Sequence, residues 1–370
     1  MKQLKVIISG GGTGGHIFPA VAIANELKNL VPGVEILFVG ALGKMEMEKV
    51  PAAGYRIIGV PIAGLQRKLT LSNLKLPFLV IRSLFKTRKI VSDFKPDVVV
   101  GTGGYASGPV LRAANSQQIP TLIQEQNSYA GITNKLLSKK ASRICVAYEG
   151  MESFFPKNKI LLTGNPTRQD LANVKEKLAE ARNFFRLDPA KKTILVIGGS
   201  QGARVINESV GAGLQMLADN NIQLIWQTGK TYYPTAQQQV EKFAGENLNA
   251  LDFISRMDFA YAAADIVVSR AGASSVSELC NIGMPSILVP SPNVAEDHQT
   301  KNAMALVNKN AAILVKDINA PAELIKTAIA LLGNENQQVS LSNNISKLAY
   351  HNSANVIARE VLKLAGHSFE

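Results

Sequence analysis

The chain has 370 residues, 46% of them hydrophobic and 18% charged, which is too long for one ordinary core and suits two domains of average size. Its two cysteines, Cys145 and Cys280, stand far apart in apolar segments and in no ligand spacing, which speaks against a disulfide framework and for a reducing, cytosolic compartment. No run approaches the roughly 18 apolar residues of a spanning helix, and the net charge of +12 is uneven: residues 1–165 hold 21 Lys/Arg against 9 Asp/Glu, whereas 166–370 hold 19 of each.

A basic half suits nucleic acid, an anionic membrane surface or plain solubility. The chain opens on Met1-Lys-Gln-Leu-Lys-Val-Ile-Ile and runs straight into glycines, so the start reads as a first strand and not as a signal peptide. Leu4-Lys-Val-Ile-Ile-Ser9 is strand one and Gly10-Gly-Gly-Thr-Gly-Gly-His16 a glycine turn. Pro19 suits the first position of a helix to about Leu30, ended by Pro32-Gly33. Strand two, Val34-Glu-Ile-Leu-Phe-Val39, ends in Val39-Gly-Ala-Leu-Gly43. A nicotinamide site wants an acidic residue there for the ribose, and none is present.

Residues 40–70 read as loop-rich. A helical stretch then starts at Ser72, with Leu74, Leu76, Phe78, Leu79, Val80, Ile81, Leu84 and Phe85 interleaved with Lys68, Lys75, Arg82, Lys86, Arg88 and Lys89. Asp97-Val-Val-Val100 is a strand before a second glycine turn at 101–108. Thr121-Leu-Ile-Gln124 is a strand leading into Glu125-Gln-Asn-Ser128, and Arg143-Ile-Cys-Val-Ala147 closes the first sheet. Gly164-Asn-Pro-Thr-Arg168 marks the hinge region before a charged helix at about 175–185.

The second half restarts the pattern. Thr193-Ile-Leu-Val-Ile197 leads into Gly198-Gly-Ser-Gln-Gly-Ala-Arg204 and a helix to about Ala218, and Ile222-Gln-Leu-Ile-Trp-Gln227 again ends without an acid. Asp265-Ile-Val-Val-Ser269 reads as a buried strand. Ala271-Gly272-Ala273 then allows close backbone approach, with Ser274 or Ser275 as cap of the next helix. Such an N-terminus receives phosphate, and Glu278, one turn in, can accept from the hydroxyls of a ribose. Pro285-Ser-Ile-Leu-Val289 is a further strand, and the segment from Pro290 to Gln299 offers amides that suit a sugar. Amphipathic helices follow at about 320–332, 336–349 and 353–365. Trp226 and Cys280 read as core.

Two halves that both open strand, glycine turn, helix predict an α/β protein of two facing Rossmann-like domains, with ligands beyond the carboxyl ends of the strands in a deep interdomain cleft.

The motifs Gly10-Gly-Gly-Thr-Gly-Gly-His16, Gly103-Gly-Tyr-Ala-Ser-Gly-Pro109, Glu125-Gln-Asn127, Gly164-Asn-Pro-Thr-Arg168, Gly198-Gly-Ser-Gln-Gly-Ala203 and Arg270-Ala-Gly-Ala-Ser-Ser-Val-Ser-Glu278 occur in that order. Together they resemble the MurG family of bacterial GT-B glycosyltransferases, over residues 10 to 302. The resemblance implies inverting transfer of N-acetylglucosamine (GlcNAc) from UDP-GlcNAc to the 4-hydroxyl of the muramoyl sugar of undecaprenyl-linked lipid I, giving lipid II for peptidoglycan. It implies an acceptor and membrane-associating domain at 1–164, with a C-terminal helix at about 350–370 packing back on it, and a UDP-GlcNAc-binding domain at 165–349. By matching positions, substrate contacts would be Thr13, Gly14, Gly15, Asn127, Arg168, Ser200, Gln201, Ile254, Ala273, Ser274, Ser275, Val276, Ser277, Glu278 and Gln299, with Tyr105 and Ser107 on the acceptor side. The loop before Gln299, Glu296-Asp297-His298, is a residue shorter than in some relatives. The resemblance also implies a peripheral place on the cytoplasmic face of the inner membrane, contact with anionic lipid, and company among other cell-wall and division proteins, without nucleic acid.

An inverting transfer needs a base for the acceptor hydroxyl and groups to hold the charge of the leaving diphosphate. His16, with a suitable ordinary pKa, and Glu125, if burial raises its pKa, are the two choices for the base. His16 has capping of the glycine loop as its other role. Tyr105 is an acceptor contact or a packing ring, and His298 a loop residue. No Asp-x-Asp pair is present to carry a metal, so no metal or cofactor is expected. Helix N-termini, Arg168 and the Ser200 hydroxyl can neutralise the diphosphate instead. The basic segment around Leu76, Phe78, Leu79, Val80 and Ile81 has the composition of an interfacial anchor, with Leu76, Phe78 or Leu79 reaching lipid. Alternatives are a related transferase acting on another lipid such as diacylglycerol, a nucleotide-sugar binding module without turnover, and a nucleic-acid-binding protein. The last lacks aromatic clusters in the basic segment.

Overall fold

Runs such as Lys5-Val-Ile-Ile and Thr193-Ile-Leu-Val-Ile are β-branched on both faces, which suits strands buried on both sides of a parallel sheet. The computed structural model describes residues 3–62, 76–168, 171 and 173–367. In it these runs are the central strands of two parallel sheets. The first contains β1 (Lys5–Gly10), β2 (Glu35–Ala41), β3 (Arg56–Val60), β4 (Val98–Gly103), β5 (Thr121–Glu125), β6 (Arg143–Val146) and β7 (Ile160–Leu162), in the order β3-β2-β1-β4-β5-β6-β7. The second contains β8 (Thr193–Ile197), β9 (Gln223–Gln227), β10 (Leu248–Leu251), β11 (Ile266–Ser269), β12 (Ser286–Leu288) and β13 (Ile313–Leu314), in the order β10-β9-β8-β11-β12-β13. Both follow the doubly wound 3-2-1-4-5-6 order, which places a switch point between β1 and β4 and another between β8 and β11.

Alternation along the strands builds a core on each face. In the first sheet Val6 and Ile8 join one apolar cluster and Ile7 the other. In the second, Ile194 and Val196 face one cluster, and Leu195 and Ile197 the other.

The chain divides into two compact units, one of residues 1–167 and 350–370, the other of 168–349. The Ser353–Leu364 helix belongs to the first unit. Its Ile357, Ala358, Val361 and Leu362 are buried with Ile17, Ala20, Ile23, Ala24 and Leu27 of the Gly14–Leu30 helix. Asn355 Nδ2 donates to Glu26 Oε1 (2.6 Å), and Arg143 pairs with Glu360 (2.6 Å). Gly164 has φ +73, and a Cβ on it would lie 2.1 Å from Cβ of Tyr350, so only glycine lets the returning segment pass this closely.

Several boundaries differ from expectation. The first helix begins at Gly14, with Thr13 as N-cap, so Pro19 lies inside it. The turn glycines themselves supply the first helical turn, and the N–H groups of His16 and Ile17 both donate to Thr13 O (3.1 and 3.2 Å). Residues 40–70 are not all loop: a Glu46–Ala52 helix and β3 fill the part that is described. Pro51 sits in the last turn of that short helix. β7 extends the first sheet beyond 147. The 175–185 helix is a 3-10 turn at Val174–Lys177 followed by Leu178–Phe184. The Ala273–Ile282 helix is capped by Gly272 in extended conformation and by neither serine.

In the Leu76–Phe94 helix Ser83, Thr87, Ile90 and Val91 face inward, whereas Ile81 and Phe85 are 54% and 73% exposed. Leu79 and Val80 are half-buried, and Arg82, Lys86, Arg88 and Lys89 are exposed. Among the described side chains of this helix the outward apolar pair is Ile81 and Phe85, with Leu79 half-buried, because the stripe at 83, 87, 90 and 91 sets the helix phase. Lys68, Ser72, Leu74 and Lys75 lie outside the described residues, as do the side chains of Leu76 and Phe78. Among the described residues no helix is long and apolar enough to cross a membrane.

Candidate active site

In the first unit the glycine turn leaves the carboxyl end of β1 beside that of β4. Gly10 pairs in register with Gly103. A Cβ on Gly10 would lie 1.8 Å from Thr102 Oγ1, and one on Gly104, at φ +84, would lie 2.3 Å from Gly11 O. Glu46, fully buried, accepts from Gly12 N (2.8 Å) and Ala41 N (2.9 Å). The acid missing from 39–43 thus exists at 46, where it ties the turn to the end of β2 instead of facing a ribose. The apparent loop at 40–70 concealed it.

His16 stands in the first turn of its helix. Thr102 Oγ1 donates to its carbonyl (2.8 Å), and its Nδ1 lies 3.1 Å from Gln126 Oε1. Thr13 is exposed, and Gly14 and Gly15 are half-buried.

Glu125 ends β5, buried, and its carboxylate accepts four N–H groups. Oε1 takes Asn127 N (3.1 Å) and Asn127 Nδ2 (3.3 Å); Oε2 takes Gly131 N (3.0 Å) and Asn134 Nδ2 (2.8 Å). A carboxylate has about four lone-pair sites, so Glu125 is occupied as the organiser of the 126–134 loop. In this arrangement the Glu125 carboxylate is engaged within the loop it organises. Tyr105 is 50% exposed. Ser107 is buried, and its hydroxyl donates to Gly104 O (3.0 Å), so it shapes the second glycine turn rather than presenting an open hydroxyl.

In the second unit the corresponding ends are those of β8 and β11. Ser200 and Gln201 are exposed at the tip of the 198–202 turn. Gln227, buried at the end of β9, holds the base of that turn. Its Nε2 donates to Gly199 O (2.9 Å), while its Oε1 accepts from Ile254 N (3.0 Å). One amide thus sets two of the expected substrate-contact segments, a role its place as a plain strand residue did not reveal. Gly202 has φ +78, and a Cβ there would lie 1.9 Å from Thr228 O. Gly202→Ala should destabilise this unit by more than 1 kcal/mol, lowering its melting temperature by about 3 °C or more. An unchanged melting temperature in a calorimetric scan would contradict the close approach.

Beyond β11 the Ala273–Ile282 helix begins directly at the turn, so its first N–H groups face outward from the sheet end. Ser274, Ser275 and Ser277 are half-buried, and Ala273 and Val276 buried. Glu278 is buried, with Oε1 accepting from Arg168 Nε (3.0 Å) and Oε2 from Tyr261 OH (3.0 Å). The structure therefore brings Arg168 to Glu278, where it orients the carboxylate. Tyr261 was not singled out in the sequence. Gln299 Oε1 accepts from Ser291 N (2.8 Å). In the loop before it Glu296 and Asp297 have φ 54 and 52. Among the described residues no group of three or more His, Cys, Asp or Glu gathers as a metal site.

Two doubly wound sheets, each with a glycine turn and a helix N-terminus at its switch point, define a GT-B glycosyltransferase fold. Residues 6–146 match the Glycosyltransferase family 28 N-terminal domain and residues 193–359 the Glycosyltransferase family 28 C-terminal domain. The chain is 56% identical, over 98% of its length and 99% of the relative's, to the UDP-N-acetylglucosamine--N-acetylmuramyl-(pentapeptide) pyrophosphoryl-undecaprenol N-acetylglucosamine transferase of Parabacteroides distasonis. It is 58% identical to the protein of the same name from Bacteroides fragilis, over 99% of this chain and 97% of that one. The crystal structure of Acinetobacter baumannii MurG aligns with a TM-score of 0.77 at 28% identity, covering 97% of this chain and 99% of that one. The chain belongs to glycosyltransferase family 28 and, within it, to the MurG family.

Proposed function

We propose that the chain moves GlcNAc from UDP-GlcNAc to the 4-hydroxyl of the N-acetylmuramoyl sugar of lipid I, forming lipid II with inversion at the anomeric carbon. The observation that carries this reading is near-full-length identity of 53–59% to transferases of that name. Glu278, held by Arg168 and Tyr261, accepts from the ribose hydroxyls. The N–H groups opening the Ala273–Ile282 helix, with Ser274, Ser275 and Ser277, and the tip of the 198–202 turn, with Ser200 and Gln201, receive the diphosphate. The amide of Gln299 addresses the sugar. His16 removes the proton of the acceptor hydroxyl as that oxygen attacks the anomeric carbon and UDP departs. Thr13, Gly14 and Gly15 present N–H groups at the same helix start. Asn127 sits on the loop that Glu125 organises.

The test is UDP release from UDP-GlcNAc with a soluble lipid I analogue, with diacylglycerol, and with neither. Release with the analogue alone is expected. Release with diacylglycerol would point to another lipid acceptor, and UDP binding without release to a binding module.

The acceptor is anchored in a bilayer, so the enzyme docks on anionic lipid. Ile81 and Phe85 flanked by Arg82, Lys86, Arg88 and Lys89 form one docking surface. Ile132 and Leu136, 62% and 78% exposed beside Lys139 and Lys140, add a second. Each cation near the surface contributes about 1 kcal/mol, weakening with salt. Ile81→Ser with Phe85→Ser should weaken sedimentation with anionic vesicles by about tenfold or more and leave turnover of a soluble acceptor intact. Undiminished sedimentation would place the docking face elsewhere.

A further inference from the structure

A chain of buried side-chain amides leads to the His16 ring, and its polarity is set by backbone groups that cannot be reversed. Asn165 Nδ2 donates to the carbonyl oxygen of Gln126 (2.9 Å), so Asn165 Oδ1 must face Gln124, whose Nε2 donates to it (2.9 Å). Gln124 Oε1 is then turned to Gln126 and accepts from Gln126 Nε2. The same nitrogen donates to Thr102 O (2.7 Å) and lies 3.2 Å from Gln124 O. Three oxygens around one atom require that atom to be the NH2 group, since a reversed amide would set oxygen against oxygen in a buried site. Gln126, Gln124, Thr102 and Asn165 are all at least 97% buried. Gln126 Oε1 is left facing His16 Nδ1 at 3.1 Å. A carbonyl oxygen only accepts, so Nδ1 carries the proton.

We infer that Gln126 is a positioning residue for the transfer: it fixes His16 in the Nδ1–H form, so that Nε2 carries the lone pair that takes the acceptor proton. This rests on the reading of His16 as the base. The neutral ring donates Nδ1–H to Gln126, and the imidazolium formed by proton transfer keeps that bond, strengthened by its charge. The ring's place is fixed from two further sides. Gly103, at φ +97, is where a Cβ would lie 2.8 Å from both Nδ1 and Cε1 of His16, and Thr102 Oγ1 holds the His16 carbonyl. The amide relay, running from Asn165 after β7 through Gln124 on β5, thus ends on one ring nitrogen.

The chain has four histidines, so 15N NMR of the histidine-labelled full-length protein resolves them, with His16→Gln used only for assignment. In the unsubstituted protein His16 is expected with Nδ1 protonated and Nε2 unprotonated. Gln126→Met, similar in shape and without the amide, is expected to admit the Nε2–H form. It should lower kcat by about tenfold or more while leaving the KM for UDP-GlcNAc within about twofold. An Nε2–H spectrum in the unsubstituted protein overturns the inference and needs no variant to fold. A Gln126→Met protein with unchanged tautomer or unchanged kcat overturns it too. Failure of the base reading registers separately, as full turnover by His16→Ala, in which case the Nδ1–H spectrum would still support the tautomer assignment.

Discussion

Replacing His16 with alanine is expected to lower kcat by about 10²–10⁴ with the KM for UDP-GlcNAc little changed. The ring sits in the first turn of the Gly14–Leu30 helix and is placed by Gln126 and the end of β4. Removing it leaves Thr13, Gly14 and Gly15 where they are, because Glu46 and Thr102 hold the turn independently of the imidazole. Donor binding should survive and proton removal should not. Glu125→Gln makes a different experiment. Four N–H groups surround that carboxylate, so an amide there would place its own NH2 against donors and disturb the 126–134 loop. A fall in kcat in Glu125→Gln is therefore expected to come with lost stability, measured as a lower melting temperature. If His16→Ala retains kcat within tenfold, the assignment of the base is wrong.

The second large effect is expected at Glu278. Glu278→Ala removes the acceptor for the ribose hydroxyls and leaves Arg168 and Tyr261 facing each other without it. Each charge-assisted hydrogen bond contributes about 1.5–3 kcal/mol, so the KM for UDP-GlcNAc should rise by about ten- to a hundredfold with a smaller change in kcat. Tyr261→Phe separates orientation from direct contact. It keeps the ring, removes only the bond to Oε2, and should raise the donor KM by less than Glu278→Ala. An unchanged donor KM in a folded Glu278→Ala protein would remove the ribose contact from the account.

What the sequence made legible follows the physics of each segment. The central strands were readable because burial on both faces demands unbroken β-branched runs, and 193–197 was placed to the residue. The glycine motifs were readable because only glycine tolerates the approaches at Gly10, Gly104 and Gly202. Short elements were not. The Glu46–Ala52 helix contains a proline, and β7 is three residues long, so neither offers a period to detect. The same failure hid Glu46. The site residues missed, Tyr261, Gln227 and Gln126, bind nothing by themselves in sequence and gain a role only through distant partners. Gln227 meets Gly199 and Ile254, and Gln126 meets Thr102 and His16. Conversely, Glu125 and Ser107 carry chemistry-bearing groups that the fold uses internally. Residue type alone does not distinguish a carboxylate that organises a loop from one that takes a proton.

The most direct measurement of the central claim is the linkage of the product. The protein is incubated with UDP-GlcNAc carrying 13C in the sugar and a soluble lipid I analogue, and the disaccharide is examined by NMR. The account predicts a β anomeric proton, with the large coupling of a trans-diaxial pair, correlated through the glycosidic oxygen to carbon 4 of the muramoyl sugar. An α anomer, a link to another hydroxyl, or free GlcNAc in place of a disaccharide would contradict it.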